Sequence, residues 1–238
     1  MKTKKHILSV AVVVAYFIFL LGSALAPPAP PVAENFIYTP PSSTSPTKSK
    51  INIAILKPTT TGSFFVSGTP MVTDAKLSID RMLVAMQEDI EKIIIARGYT
   101  TAGTFSSIDE MTFSQKERAS FLLAPVINLD LVAQGSQGAV SGNVTLQLLE
   151  PMSKEKVWIQ RLNLDQITGQ ISYDLVSVPA PQGSQLVHMI SANSIKKLLN
   201  SFYMPAMGKI WDHLDPREIT NLKSDSDKLK GRTNYQGK

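Results

Sequence analysis

Val144-Thr145-Leu146-Gln147-Leu148-Leu149, Glu150-Pro151-Met152-Ser153-Lys154-Glu155 and Val157-Trp158-Ile159-Gln160-Arg161-Leu162 carry the clearest local signal in the chain. Val144, Leu146 and Leu148 alternate with Thr145 and Gln147, the period-two pattern of a strand with one buried face. A turn signal follows, and a second run of β-branched and aromatic residues returns from it. Two such runs joined by a short polar turn predict an antiparallel hairpin.

Upstream of the hairpin, Phe121 to Ala133 is the longest strand candidate, with Ile127, Leu129 and Leu131 alternating against Asn128, Asp130 and Val132. Pro125 within it predicts an edge position or a bulge, because proline cannot donate to a ladder. Gln134 to Gly142, a Gly/Ser/Gln stretch, is expected to be the turn into the hairpin. Ile51 to Leu56 alternates aliphatic residues before Lys57-Pro58 and reads as an inner strand, and Tyr99 to Phe105 as another. Between those two, Ile79, Leu83, Met86, Ile90 and Ile93 recur at helical spacing after the candidate caps Thr73 and Asp74, and Gly98 stands where a C-terminal cap belongs. Ser114 to Glu117 reads as a short capped turn of helix.

Downstream, Asp165 to Gln185 offers one short strand candidate, Tyr173 to Val178, ended by Pro179. After Ser191, the residues Ile195, Leu199, Phe202, Ala206 and Ile210 mark a long amphipathic helix, which Pro205 should bend by removing the bond to Ser201 and Gly208 should weaken. Asp215-Pro216-Arg217-Glu218 has the form of a capped helix start. This order of elements predicts an α+β fold, a mostly antiparallel sheet with two main helices packed on one face. The expected division is a globular domain over 51–214 and a polar C-terminal helix and tail over 215–238.

The N-terminal quarter reads differently. Lys2, Lys4 and Lys5 precede an apolar run from Ile7 to Ala26, which is long enough to span a bilayer as a helix and equally suits a signal peptide. Ala24-Leu25-Ala26 has the small-x-small form of a cleavage site, but Pro27 would follow the cut, whereas cutting after Ala24 avoids it. Leu20-Leu21-Gly22-Ser23 has the frame of a lipobox with serine where a lipoprotein has cysteine, and a hydroxyl is a far poorer nucleophile than a thiol. Residues 1–26 are thus a signal peptide or membrane anchor. Pro/Ser/Thr-rich residues 27–50 read as a linker that, as polyproline II, would reach on the order of 70 Å.

Composition narrows the chemistry. The chain has 238 residues and no cysteine, which excludes disulfides and thiolate chemistry. Its net charge is +5. Lys2, Lys4 and Lys5 supply part of that charge, so the exported portion is nearly neutral and no nucleic-acid partner is expected. His6, His188 and His213 form no metal-binding pattern. Gly135, Gly138 and Gly142 do not lead a strand into a helix and are no phosphate loop. The cluster Glu88-Asp89-Glu91, with Arg81 and Lys92 on the same surface, reads as a solvated charged face. No catalytic, metal or cofactor residue is assigned. Phe64 and Phe65 in the polar loop Thr59 to Pro70, and the two tryptophans Trp158 and Trp211, are the candidate ligand or partner contacts; core packing is the commoner fate of both residue types. Asn143-Val144-Thr145 is a sequon only in a host that glycosylates it.

Ile55-Leu56-Lys57-Pro58, Ala96-Arg97-Gly98-Tyr99, Phe113-Ser114-Gln115-Lys116, Leu149-Glu150-Pro151-Met152-Ser153 and Lys228-Leu229-Lys230-Gly231-Arg232-Thr233-Asn234 follow one another in the order and at the spacing seen in a known family. From Ile51 to Asn234 the chain resembles the neuraminyllactose-binding haemagglutinin family of bacterial envelope lipoproteins, as a paralogue lacking the lipobox cysteine. The resemblance implies a non-enzymatic adhesin of the outer membrane or cell surface whose partner is a host sialylated glycan. The alternative is a periplasmic or membrane-anchored scaffold, facing the periplasm from the inner membrane, that docks another envelope protein. Two departures stand out. The family's Lys/Arg-rich run after the third strand, which it is proposed to use on sialic acid, is replaced here by the uncharged Gln134 to Gly142. Ser23 stands where the family's lipid-bearing cysteine is expected. No sugar-binding residue carries over.

Overall fold

The structure is a computed structural model that describes residues 31–41, 49–61, 73–134, 137–163, 171–172, 175–179, 186–223 and 227. The apolar run, the degenerate lipobox, and Phe64 and Phe65 lie outside the described residues. The chain divides into two units, Met1–Val32 and Ala33–Lys238, and every element named below belongs to the second.

The expected α+β fold is found. Strands β1 (Asn52–Leu56), β2 (Thr59–Thr60), β3 (Thr100–Phe105), β4 (Phe121–Gln134), β5 (Gln137–Leu149), β6 (Lys156–Asn163) and β7 (Ile171–Ser172) form one sheet of order β3-β1-β4-β5-β6, with β2 beside β4 and β7 beside β5. A separate antiparallel pair is made by β8 (Leu175–Pro179) and β9 (Leu186–Ile190). β8 matches the strand candidate at 173–178; β9 carried no sequence signal. The hairpin forms as expected, with Val144 opposite Leu162, Leu146 opposite Gln160 and Leu148 opposite Trp158. Its turn is tied by backbone bonds from Glu150 N–H to the Glu155 carbonyl and from Lys154 N–H to the Glu150 carbonyl, and Lys154 takes φ 61. The carboxylate of the fully buried Glu150 accepts from Met152 N–H and Ser153 N–H.

The sheet is mixed: β1 runs parallel to both β3 and β4, while β4-β5-β6 is antiparallel. The parallel pairing follows from the 24-residue helix α1 (Thr73–Ala96), which carries the chain back from β1 to β3. α1 ends as Gly98 predicts. Gly98 has φ 88, its N–H donates to the Ile95 carbonyl and Tyr99 N–H to the Ile94 carbonyl, the two bonds of a Schellman cap. The short helix α2 (Phe113–Arg118) is opened by a Thr112–Gln115 capping box. The long helix α3 (Ala192–His213) is capped by Ser191, and runs unbroken through Pro205. A last helix, α4 over 216–223, starts on Pro216 with Asp215 Oδ1 accepting from Arg217 N–H at 2.8 Å.

Both long helices lie on one face. The main core joins Met82, Met86, Ile90 and Ile93 of α1 and Leu199, Phe202 and Ile210 of α3 to Ile53, Phe121, Leu146 and Leu148 of the sheet. Ile219 of α4 is fully buried in that core. On the opposite face a small cluster of Ala54, Met111, Ala119 and Leu122 sits under α2.

Three expectations need correction. Pro125 is neither at an edge nor in a bulge: β4 is central. β1 pairs with β4 up to Leu123 and β2 resumes the pairing at Val126, so Pro125 faces the break between them. Ile127, of the same parity, directs its carbonyl to that side, where it accepts from Thr61 N–H, so the donor that proline lacks is not required there. Second, Gln134 to Gly142 is not a turn. β4 extends to Gln134 and β5 begins at Gln137, leaving 135–136 between them; Gly and Ser erase the alternation that would have shown the strand. Third, Asp89 is not on a solvated face but buried at 2% exposure.

Candidate functional site

Asp89 organises the first notable site. Its Oδ2 accepts from Tyr203 OH at 2.7 Å and from Tyr38 N–H at 2.6 Å, while Oδ1 accepts from Lys92 Nζ at 2.6 Å. α1 presents Asp89 and α3 presents Tyr203; Tyr38 arrives from the stretch that composition marks as linker. Within it, residues 33–38 form a strap. Phe36 and Tyr38 are in the main core, and the Phe36 ring lies 5.3 Å from that of Tyr203 at a tilt of 48°, an arrangement that adds to area burial. Asn35 N–H donates to Asn200 Oδ1 and Asn200 Nδ2 to the Ala33 carbonyl. Glu34 accepts from Ser78 Oγ at 2.7 Å and from Arg81 at 3.1 Å. The strap therefore lies in the groove between α1 and α3, touching both.

Electrostatics reinforce the clamp. Burial pulls the Glu34 carboxyl upward, but Ser78 and Arg81, with Lys196 nearby, outweigh it and hold the group below its ordinary value of 4.5. A carboxylate with a depressed folded value stabilises above its ordinary value, and loses that contribution as pH falls through the folded one. Glu34→Gln should therefore lower Tm at neutral pH, and the gap to wild type should close as the pH is taken below 4.5. Thermal melts of both proteins across that range check it; a gap that persists in acid refutes it. The Tyr203 hydroxyl is pushed up by burial and by its bond to Asp89, so it remains a neutral donor.

The second site gathers the sequence-predicted tryptophans at the C-terminal end of the helical layer. The Arg97 guanidinium stands 3.7 Å over the Trp211 ring and donates to the Trp211 carbonyl, a cation–π pair that ties the end of α1 to the end of α3. Trp158, on β6, donates from Nε1 to Glu218 of α4 at 2.7 Å. Both rings pack on the main core. Trp211 gives one face to Arg97, and Trp158 uses its donor within the chain. Tyr99, pushed up by burial and then by Asp215, keeps a buried hydroxyl with no hydrogen-bond partner, as does the Arg97 Nε. An Arg, two Trp and a Tyr are thus brought to one end of the fold, a signal spread over β6, α1 and α3 and invisible to local patterns.

At the first site the buried Asp89 carboxylate is taken up by three donors of the chain itself. Among the described residues no three His, Asp or Glu side chains gather as a metal site, and no helix is long and apolar enough to cross a membrane.

These elements match a known architecture. The fold is similar to that of a hemagglutinin homolog. The neuraminyllactose-binding hemagglutinin homolog from Helicobacter pylori, seen in its crystal structure, superposes with a TM-score of 0.57 at 15% identity, over 80% of this chain and 98% of that one. At that identity the likeness is one of fold. A DUF330 protein from Xanthomonas campestris aligns over 80% of this chain and 96% of its own at 9% identity, but with a TM-score of 0.38, too slight a likeness to build on. No family model matches the chain, and no curated protein matches it in sequence. The resemblance read from the residues and the likeness to the hemagglutinin homolog agree at the level of the fold.

Proposed function

We propose that this chain is a non-catalytic binding protein of the bacterial cell envelope, exported through residues 7–26 and either held by them or released after Ala24, without a lipid on Ser23. The likeness to the hemagglutinin homolog over nearly all of its length carries this reading. Its finer form is an adhesin for sialylated glycans, the ligand class that the hemagglutinin homolog's name carries. The end of the fold that holds Arg97, Tyr99, Trp158 and Trp211 is the best place for a sugar: carbohydrate faces stack on aromatic rings, and a guanidinium is the usual partner of a sugar carboxylate.

The scaffold reading is favoured by a different observation. α1 exposes Leu77, Val84 and Ile95 on its outward side, a feature suited to a protein partner rather than a sugar. Direct binding of sialyllactose to purified protein beginning at residue 27 separates the two. Saturable binding that is lost in Trp211→Ala supports the adhesin. Absence of binding, together with an envelope protein recovered by crosslinking through α1, removes the adhesin reading. The fragment must keep residues 33–38, because Phe36 and Tyr38 belong to the core.

A further inference from the structure

The outward side of α1 has more order than three scattered aliphatic residues. Leu77, Val84 and Ile95 are 50%, 43% and 54% exposed. At about 100° per residue they fall within roughly 20° of a single line along the helix, opposite the side that Met82, Met86 and Ile90 bury. From Asp80 onward the two flanks of that line carry opposite charge. Asp80 and Glu91 lie on the flank toward β3, where Glu91 accepts from Thr101 Oγ1. Arg81 and Lys92 lie on the flank toward the strap, where they meet Glu34 and Asp89. Both cations stay reachable, with side chains 57% and 54% exposed.

We propose that this face binds a second copy of the chain, α1 against α1, in parallel about a two-fold axis, in place of the other envelope protein of the scaffold reading. The charge pattern selects the direction. In a parallel pair each acidic flank meets the partner's basic flank, so Asp80 faces Arg81 and Glu91 faces Lys92 across the seam, while the three aliphatic residues stack on themselves. An antiparallel pair would set acid against acid and base against base. Glu88 is the one residue on the seam that resists pairing, and the nearby Lys92 of its own chain, whose ammonium is held up by Asp89 and also by Glu88, offsets it. The parallel arrangement also fits the tether. Both straps begin with Glu34 at the Ser78–Arg81 end of α1, so a parallel pair starts its two straps at the same end, which suits the membrane-held form of the proposed function on which this point rests. A single helix pair buries less than the roughly 800 Å² per partner of a standard interface. The dimer is therefore weak in dilute solution and favoured where tethering concentrates the chains.

The chain lacks cysteine, so the test is direct. Leu77→Cys, Val84→Cys and Ile95→Cys are placed singly in the full chain, expressed in cell membranes and treated with a short bis-maleimide. Phe113→Cys, at a site 65% exposed on α2, measures random collision. Each seam cysteine is expected to yield dimer above that background, and Asp80→Lys with Glu91→Lys should lower the yield on the order of tenfold by making both flanks basic. Yields no higher than the Phe113→Cys background, dimer formed only when Leu77→Cys and Ile95→Cys chains are mixed, or no loss in the doubly basic variant would each overturn the proposal.

Discussion

Gly142→Ala is expected to destabilise the protein by about 3–5 kcal/mol, enough to empty the folded state of a marginal domain, as the sum of backbone strain and overpacking. An alanine Cβ at this position would stand 2.0 Å from the Asn128 carbonyl oxygen, 3.0 Å from its carbon and 3.2 Å from the Leu129 Cα. These are backbone atoms of the central strand, so no side-chain rotation relieves the contact. The residue also has φ 145, which L side chains rarely adopt. Gly142 pairs with Leu129 in the middle of a ladder that runs from Leu122 opposite Leu149 to Gln134 opposite Gln137, and moving β4 away breaks that ladder. Urea unfolding measures the loss. Gly208→Ala is the control of opposite sign: nothing lies within 4 Å of its Cβ, so a helical alanine there should stabilise by about 0.5–1 kcal/mol. A loss below about 1 kcal/mol at Gly142 would show that the two strands separate easily there.

Asp89→Ala should cost about 3–5 kcal/mol, the usual result of removing one member of a buried, charge-assisted network. It leaves the Tyr203 hydroxyl and the Tyr38 N–H buried without their acceptor, and removes the partner of Lys92. For a chain of this size the midpoint should fall by on the order of 10 °C. Tyr203→Phe removes only one donor and should cost about 1–2 kcal/mol. In the double variant the two losses should add to less than their sum, because the phenol no longer has a carboxylate to lose. Limited proteolysis adds a readout specific to the strap: cleavage within residues 33–41 should accelerate in Asp89→Ala before the rest of the domain is cut. Additive losses, or a strap that stays protected, would remove Asp89 from the role given to it.

The β5–β6 hairpin, the α1 stripe with its Gly98 cap, the Ser191 start of α3 and the Asp215-Pro216 start of α4 were all legible, because each is written in neighbouring residues. Asp89 was legible in part. It stands three residues after Met86 and four before Ile93, on the buried side of the helical wheel, but the company of Glu88 and Glu91 hid it. The strap had a weaker signal, the aromatic pair Phe36 and Tyr38 inside a proline-rich stretch. At the candidate site, Trp158 and Trp211 were visible as residue types, whereas Arg97 and Tyr99 stood out only within the segment Ala96-Arg97-Gly98-Tyr99 that carries the family resemblance, since no periodicity or charge pattern marks them as contacts.

Periodicity and capping act over a few residues, so the chain by itself determines where the hairpin turns, which side of α1 is apolar and that an α+β fold results. The pairing of β1 with β4, the seating of the strap and the Asp89 bonds join residues far apart: Tyr38 reaches Asp89 across 51 positions, and Tyr203 reaches it across 114. Such contacts form only once helices and sheet have packed. A buried carboxylate is then stable only where donors from separate elements converge on it, and that convergence is a property of the tertiary structure alone.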